Sequence, residues 1–258
     1  MRIAIIQMTI RAGDVATNRS HGLALLDKAA ANADVVVLPE IWTTGYSLGK
    51  LAEMAEAEDG PTLSGVRQVA SRRGVTVVAG SLPLRCDGRI YNKSVVIGPD
   101  GQTVAAYEKL HLFTMLGEER FFAAGQSRQV FDLYGLPAGL AICYDLRFPE
   151  LFRALALDGA QVIFLPSEWP AARAEPWLTL TRARAIENQI YVCAANCVGE
   201  HHGNPFFGHS LLIGPGGEIV AAGGDEEAII YGDIDPAEVA AARADMQVWP
   251  DRRPEAYK

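Results

Sequence analysis

The chain has 258 residues, 49% of them hydrophobic, and its 23 Lys and Arg against 31 Asp and Glu give a formal net charge of −8. That composition excludes a disordered or fibrous protein, and acidity without any Lys/Arg cluster argues against a nucleic-acid partner, which needs a basic face for phosphate contacts. Apolar runs such as VVVLP and QVIFLP fall far short of the ~20 residues that span a bilayer, so no membrane partner is expected. Four cysteines (Cys86, Cys143, Cys193, Cys197) and no secretory h-region in MRIAIIQMTIRAGD predict reduced thiols in a cytoplasmic protein rather than a disulfide scaffold.

In chain order, the periodicity predicts a strand at RIAIIQM, a helix at SHGLALLDKAAANA, a strand at ADVVVLP, a helix near VRQVASRR and a strand at GVTVVAGSLPL. A hairpin follows in YNKSVVIGPDGQTVAAYEK, turned by Pro99-Asp100-Gly101. The order then repeats. GLAICYD stands where RIAIIQM stood, PELFRALALDGA is a helix, AQVIFLPSEW mirrors ADVVVLPEIW, and after WLTLTRARAIENQ and IYVCAANCVG the hairpin SLLIGPGGEIVAAGG parallels SVVIGPDGQTVAAYE. Any two βαβ units look somewhat alike, but matching IGPDG and IGPGG turns in the same order favour an internal pseudo-twofold repeat. Central strands apolar on both faces predict an α/β fold of the αββα sandwich type, with the whole of residues 1–258 forming a single domain. The end of the chain predicts a helix capped by Asp235 with Pro236 at its first position, then an extended tail over about 246–258.

If the halves share a backbone, polar groups present in one and absent from the other are candidates for function. Glu40 aligns with Ser167, Cys143 with Gln7, and Lys109 with Asp225, each just past a buried strand, where open α/β sheets place ligands. A thiol is weakly ionised at neutral pH, so Cys143 as a nucleophile needs a base and a cation. Glu40 can accept the proton. Lys109, with the backbone N–H of Tyr144, can stabilise charge developing on a substrate carbonyl oxygen. A cysteine in an apolar strand is by itself usually packing; three polar groups at three strand exits weigh against that.

Other groups carry weaker signals. Cys193 and Cys197 with His201 and His202 look like a zinc set, but in a strand the two thiols lie about 13 Å apart at ~3.3 Å per residue, so no metal is expected. His111 is either a general base or a structural hydrogen-bonding residue. The IGPGG segment is a turn, not a nucleotide loop.

On LPEIWTTGY around Glu40, EKLHLF around Lys109 and AICYDLRFPELFR around Cys143, in that order, the chain resembles the nitrilase superfamily of carbon-nitrogen hydrolases over nearly its whole length. The resemblance implies the αββα sandwich and a homodimer or larger homo-oligomer, with the C-terminal tail often reaching across the partner. It implies Cys143 as nucleophile, Glu40 as general base and then acid, Lys109 as oxyanion holder, a thioester intermediate and no cofactor. It also implies a second glutamate; counting back from Gly125 in EERFFAAG selects Glu118 over the adjacent Glu119, to orient Lys109 or the substrate.

True nitrilases follow the cysteine with Trp-Glu, whereas Cys143-Tyr144-Asp145-Leu146-Arg147 resembles the ω-amidase and deaminated-glutathione-amidase branch. The expected substrate is therefore a small linear amide bearing a carboxylate, such as 2-oxoglutaramate, with Arg173 meeting the carboxylate and Trp169 walling the pocket. For Arg173 the competing reading is a surface salt bridge. Asp145 and Arg147 are read as framework around the nucleophile. Alternatives are hydrolysis of deaminated glutathione or an N-carbamoyl amine, and, from another class, a non-catalytic binding protein on the same fold.

Overall fold

The computed structural model describes residues 1–201 and 203–256. Its first sheet holds β1 (Arg2–Gln7), β2 (Val35–Val37), β3 (Thr76–Val78), β4 (Leu82–Cys86), β5 (Arg89–Ile97), β6 (Thr103–Glu108) and, from near the end of the chain, β15 (Ala228–Asp233). The second holds β7 (Val130–Leu133), β8 (Leu136–Leu140), β9 (Val162–Pro166), β10 (Tyr191–Ala195), β13 (Leu211–Ile213) and β14 (Ile219–Ala222). A separate hairpin is formed by β11 (Val198–His201) and β12 (Asn204–Phe207). The helices are α1 (Val15–Ala29), α2 (Leu51–Met54), α3 (Pro61–Arg73), α4 (Pro149–Leu157), α5 (Ala174–Asn188) and α6 (Pro236–Asp245).

The repeat read from the sequence reappears as strand order. In the first sheet β1, β2 and β3 run parallel and β3, β5 and β6 antiparallel. In the second, β8, β9 and β10 run parallel and β10, β13 and β14 antiparallel. Each set is bordered by one antiparallel strand, β15 on β1 and β7 on β8.

Period-two alternation explains the layers. Ile3, Ile5, Val35, Val37, Val78 and Val96 point into a core shared with the second sheet, among them Leu140, Val162 and Phe164. The alternate residues Ala4, Ile6, Val36, Val77 and Val95 pack with Leu26 and Ala29 of α1 and Leu63, Val66 and Ala70 of α3. On the far side, Phe152 and Leu155 of α4 and Trp177 and Ala185 of α5 join the core of the second sheet. Two mixed sheets with helices outside is the α/β sandwich expected.

Several elements differ from the sequence reading: GVTVVAGSLPL forms two strands, β3 and β4, IYVCAANCVG breaks between β10 and β11, and the strand read at GLAICYD ends at Leu140. α1 begins at Val15 rather than near Ser20, because Asp14 caps it, its Oδ1 accepting the Thr17 N–H at 3.2 Å. The hairpin of β11 and β12, unrecognised in the sequence, folds back as a wall beside the strand exits. At the other end Asp235 caps α6 with Pro236 in its first turn, as expected. Beyond it Gln189 donates to the Met246 carbonyl at 2.8 Å, and Trp249 lies against the guanidinium groups of Arg153 and Arg243 at 5.0 and 5.2 Å. Tyr257 and Lys258, at the end of the tail, lie outside the described residues.

Candidate active site

Glu40 follows β2 after Leu38 and Pro39. The chain turns sharply there because Gly80, at φ +65°, comes so close that a Cβ would sit 2.0 Å from the Pro39 carbonyl oxygen. The Ile41 N–H donates to Ser81 Oγ at 3.0 Å and the Trp42 indole to the Ala79 carbonyl at 2.9 Å, fixing the loop on both sides of Glu40. Lys109 follows β6; its backbone N–H donates to the Asn92 carbonyl and its carbonyl accepts from Gly125, both at 2.9 Å.

Cys143 begins a tight turn, Cys143–Arg147, three residues past the end of β8, with φ +43°. A non-glycine residue held in that left-handed region costs on the order of 1–3 kcal/mol and persists only where its surroundings fix it. Asp145 does the fixing. Its Oδ2 accepts from the Ile142 N–H at 2.9 Å and the Tyr107 hydroxyl at 2.7 Å, while Oδ1 accepts the His111 N–H at 3.1 Å and faces His111 Nδ1 at 2.7 Å. His111 also stacks on Phe148 at 3.6 Å, so of its two sequence readings it takes the structural one.

The three strand exits bring their polar groups together in a fully buried cluster. Lys109 Nζ donates to Glu40 Oε1 at 2.8 Å and to Glu118 Oε1 at 3.0 Å, and all three side chains are 0% exposed. Asn92 donates to Glu40 Oε1 at 2.8 Å and the Glu168 backbone N–H to Glu40 Oε2 at 3.0 Å. Glu118 Oε2 accepts from the Phe113 N–H at 2.6 Å. Glu119, its neighbour, lies outside the cluster near Arg120.

Burial penalises every charge in this cluster, and the signs decide which survive. For Lys109 burial favours the neutral amine, but Glu40 and Glu118 outweigh it and raise the ammonium above its ordinary range. Burial raises Glu118, opposed by Lys109. Cys143 is pushed well up by burial and then by Glu40, with Lys109 opposing, so its resting form is the thiol. Such a thiol reacts when a base takes its proton during attack, and Glu40 is the carboxylate whose charge acts most strongly on it.

Cys143 opens into a cavity of about 320 Å³. Tyr46, Phe113, Trp169 and Phe206 give it apolar walls; Tyr144, the residue after Cys143, also lines it. Trp169 is held in this wall by its indole N–H, which donates to the Arg173 carbonyl at 2.8 Å. Arg173 lines the cavity too, over the Phe113 ring at 5.6 Å and near Met115 Sδ at 3.7 Å, so it makes none of the described salt bridges.

Arg147, read from the sequence as framework, is instead a second cation on this wall, over the Trp169 ring at 5.0 Å. The turn that starts at Cys143 carries its side chain round to the cavity. Sequence reasoning also missed Glu168 and His201, which line the cavity with His201 Nδ1 2.5 Å from Glu168 Oε1. The comparison of halves held the signal: Glu168 aligns with Ile41, a carboxylate where the other half has an aliphatic residue. Burial pushes Glu168 up to about 7, with His201 opposing.

Cys193 and Cys197 are buried, and burial raises both thiols. Among the described residues no group of His, Cys, Asp and Glu could hold a metal ion, and no helix is long and apolar enough to cross a membrane. His202, part of the zinc reading, lies outside the described residues.

A family model for carbon-nitrogen hydrolases matches residues 2–244. The chain is 40% identical to a 2-oxoglutaramate amidase of Bacillus subtilis, over 99% of this chain and 98% of that protein. It is 33% identical to the human omega-amidase NIT2 over 99% and 96%. Among solved structures, a CN-hydrolase superfamily protein of Xanthomonas campestris with an arsenic adduct in its active site superposes with a TM-score of 0.92 at 34% identity, covering 98% and 97% of the two chains. A glutamate-to-glutamine mutant of an amidase from Nesterenkonia sp. AN1, carrying the acetamide moiety of fluoroacetamide on its active-site cysteine, gives 0.86 at 30% identity, covering 100% and 95%. The chain belongs to the carbon-nitrogen hydrolase family, the nitrilase superfamily, and is a hydrolase of the amidase type.

Proposed function

We propose that the chain hydrolyses a small ω-amide bearing a distal carboxylate, such as 2-oxoglutaramate, to the acid and ammonia through a thioester on Cys143. The observation that carries this reading is the buried contact of Glu40, Lys109 and Glu118 beside Cys143, opening into a cavity that holds two arginines without a described carboxylate partner.

Cys143 Sγ attacks the amide carbon while Glu40 takes its proton, so the C–S bond forms as the carbonyl π pair moves onto oxygen. Lys109 Nζ and the Tyr144 N–H hold that oxyanion. The pair returns, the C–N bond breaks, and Glu40 gives its proton to the leaving nitrogen, which departs as ammonia. Water then attacks the thioester with Glu40 as base, releasing the carboxylic acid and restoring the thiol. Glu118 keeps Lys109 charged and aimed. No step requires a cofactor.

Arg147 and Arg173 meet the substrate carboxylate. Both guanidinium groups rest on aromatic rings, an arrangement that leaves their N–H edges for a planar anion. In ammonia-release assays, Arg173→Met and Arg147→Met should each raise KM for 2-oxoglutaramate by about tenfold or more and affect an uncharged amide much less. Equal effects on both substrates contradict carboxylate recognition. The reading also takes the chain as one hydrolase unit that pairs with a second copy, which sedimentation checks; exposed Leu178 and Ile186 on α5 support it.

A further inference from the structure

Glu168 has no part in the steps above, yet it stands beside them. Its backbone N–H is bound to the base Glu40 at 3.0 Å, and its side chain, 0% exposed, lines the cavity with Cys143. An ionisable side chain so buried needs partners. One is His201, on β11, with Nδ1 2.5 Å from Glu168 Oε1. Neither carboxylate oxygen makes a hydrogen bond of regular geometry, nor does His201 Nδ1, so the His201 contact is a close ion-pair approach. The Tyr46 backbone N–H also favours the carboxylate, and Oε2 is left as an acceptor without a regular donor.

The protons of this pair can be placed by elimination. His201 Nε2 lies 2.7 Å from the Ile10 carbonyl oxygen, which can only accept, so Nε2 carries a hydrogen. At 2.5 Å, Nδ1 and Oε1 cannot both present only lone pairs, so one of the two carries a proton, although the contact is not a hydrogen bond of regular geometry. Whether that proton belongs to the imidazole or to the carboxyl group, Oε2 has only lone pairs to offer. His201 is itself fixed: Gly45 packs so close that a Cβ there would sit 2.9 Å from its Cε1. The pair is therefore a held acceptor of near-zero net charge beside the nucleophile, and it leaves the cavity's charge to Arg147 and Arg173.

An acceptor calls for a donor. A carboxylate-bearing ω-amide offers acceptors at its carboxylate and its carbonyls; its N–H donors are on the scissile amide. We infer that Glu168, positioned by His201, contacts the substrate and accepts a hydrogen bond from the scissile amide N–H, so that the site favours primary amides over esters of the same acyl group.

This rests on the amidase reading, and one pair of probes separates the two: succinic acid monoamide and monomethyl succinate, which deliver the same acyl group to Cys143. Wild-type turnover of the monoamide decides the amidase reading; no turnover overturns both. For Glu168→Ala, kcat/KM on the amide should fall about 10- to 100-fold relative to kcat/KM on the ester, the range for losing a hydrogen bond to a charged group. Glu168→Gln, whose side-chain oxygen still accepts, should recover part of that ratio. Ester turnover reports that the site is still assembled. Equal losses on amide and ester, or no loss on the amide, overturn the inference.

Discussion

At the exit of β2 stands Glu40, and at the exit of β9, its counterpart in the other sheet, stands Ser167; the two meet, the Glu40 N–H donating to the Ser167 carbonyl at 3.3 Å. Their side chains have different fates. Glu40 takes the cation Lys109, whereas Ser167 Oγ donates to the Leu165 carbonyl of its own strand at 3.3 Å. The second pair repeats the contrast. Cys143 opens into a cavity, while Gln7 is satisfied by backbone, its Nε2 donating to Gly224 and Glu226 carbonyls at 2.8 and 2.6 Å and its Oε1 accepting from the Ser210 N–H at 2.9 Å. In the third, Lys109 is fully buried, and Asp225 is 82% exposed with His209 as partner. In each of these three pairs the duplicated framework thus buries a reactive or charged group at one exit and sets a neutral or solvated group at the other; the further buried pair Glu168–His201, next to Ser167, lies against the same cluster. Buried charges are tolerable only where they neutralise one another, which favours gathering them in one cluster.

Substitutions on the two sides should therefore separate activity from stability. The largest effect is expected for Cys143→Ala, which should lower turnover by at least about 10⁴-fold while circular dichroism stays native, because the nucleophile is removed from an intact cluster. Next is Lys109→Met. It strips the cation from two buried carboxylates and should cost about 3–5 kcal/mol in urea unfolding, as well as on the order of 10²-fold or more in kcat. On the other side, Gln7→Leu should cost about 1–3 kcal/mol, by leaving the Ser210 N–H and two carbonyls unpaired, yet hold kcat/KM within about threefold. A large loss of activity there, at unchanged stability, would break the division between the halves. Asp225→Asn should be smallest, within about 0.5 kcal/mol and with unchanged kinetics.

The parts that could be read from the sequence were those carried by repetition. Glu40, Lys109 and Cys143 stood out because the aligned residues Ser167, Asp225 and Gln7 differ in chemistry, and the hairpins announced themselves through IGPDG and IGPGG. Asp235 followed by Pro236 marked its helix through local capping. What stayed hidden depends on direction in space. Arg147 reaches the cavity because the tight turn beginning at Cys143 carries its side chain there. His201 acquires a role from three segments far apart in the chain, through Ile10, Gly45 and Glu168. The β11–β12 hairpin that presents it has no repeat partner, so no internal comparison pointed to it.

Rapid-quench intact-mass analysis during turnover of 2-oxoglutaramate, followed by peptide mapping, tests most directly that the differing strand exits form one nucleophilic site. An acyl mass on the peptide containing Cys143, appearing and decaying at rates consistent with turnover and absent in Cys143→Ala, is the predicted result. The acyl group on Cys86, Cys193 or Cys197, or undiminished turnover in Cys143→Ala, would contradict it.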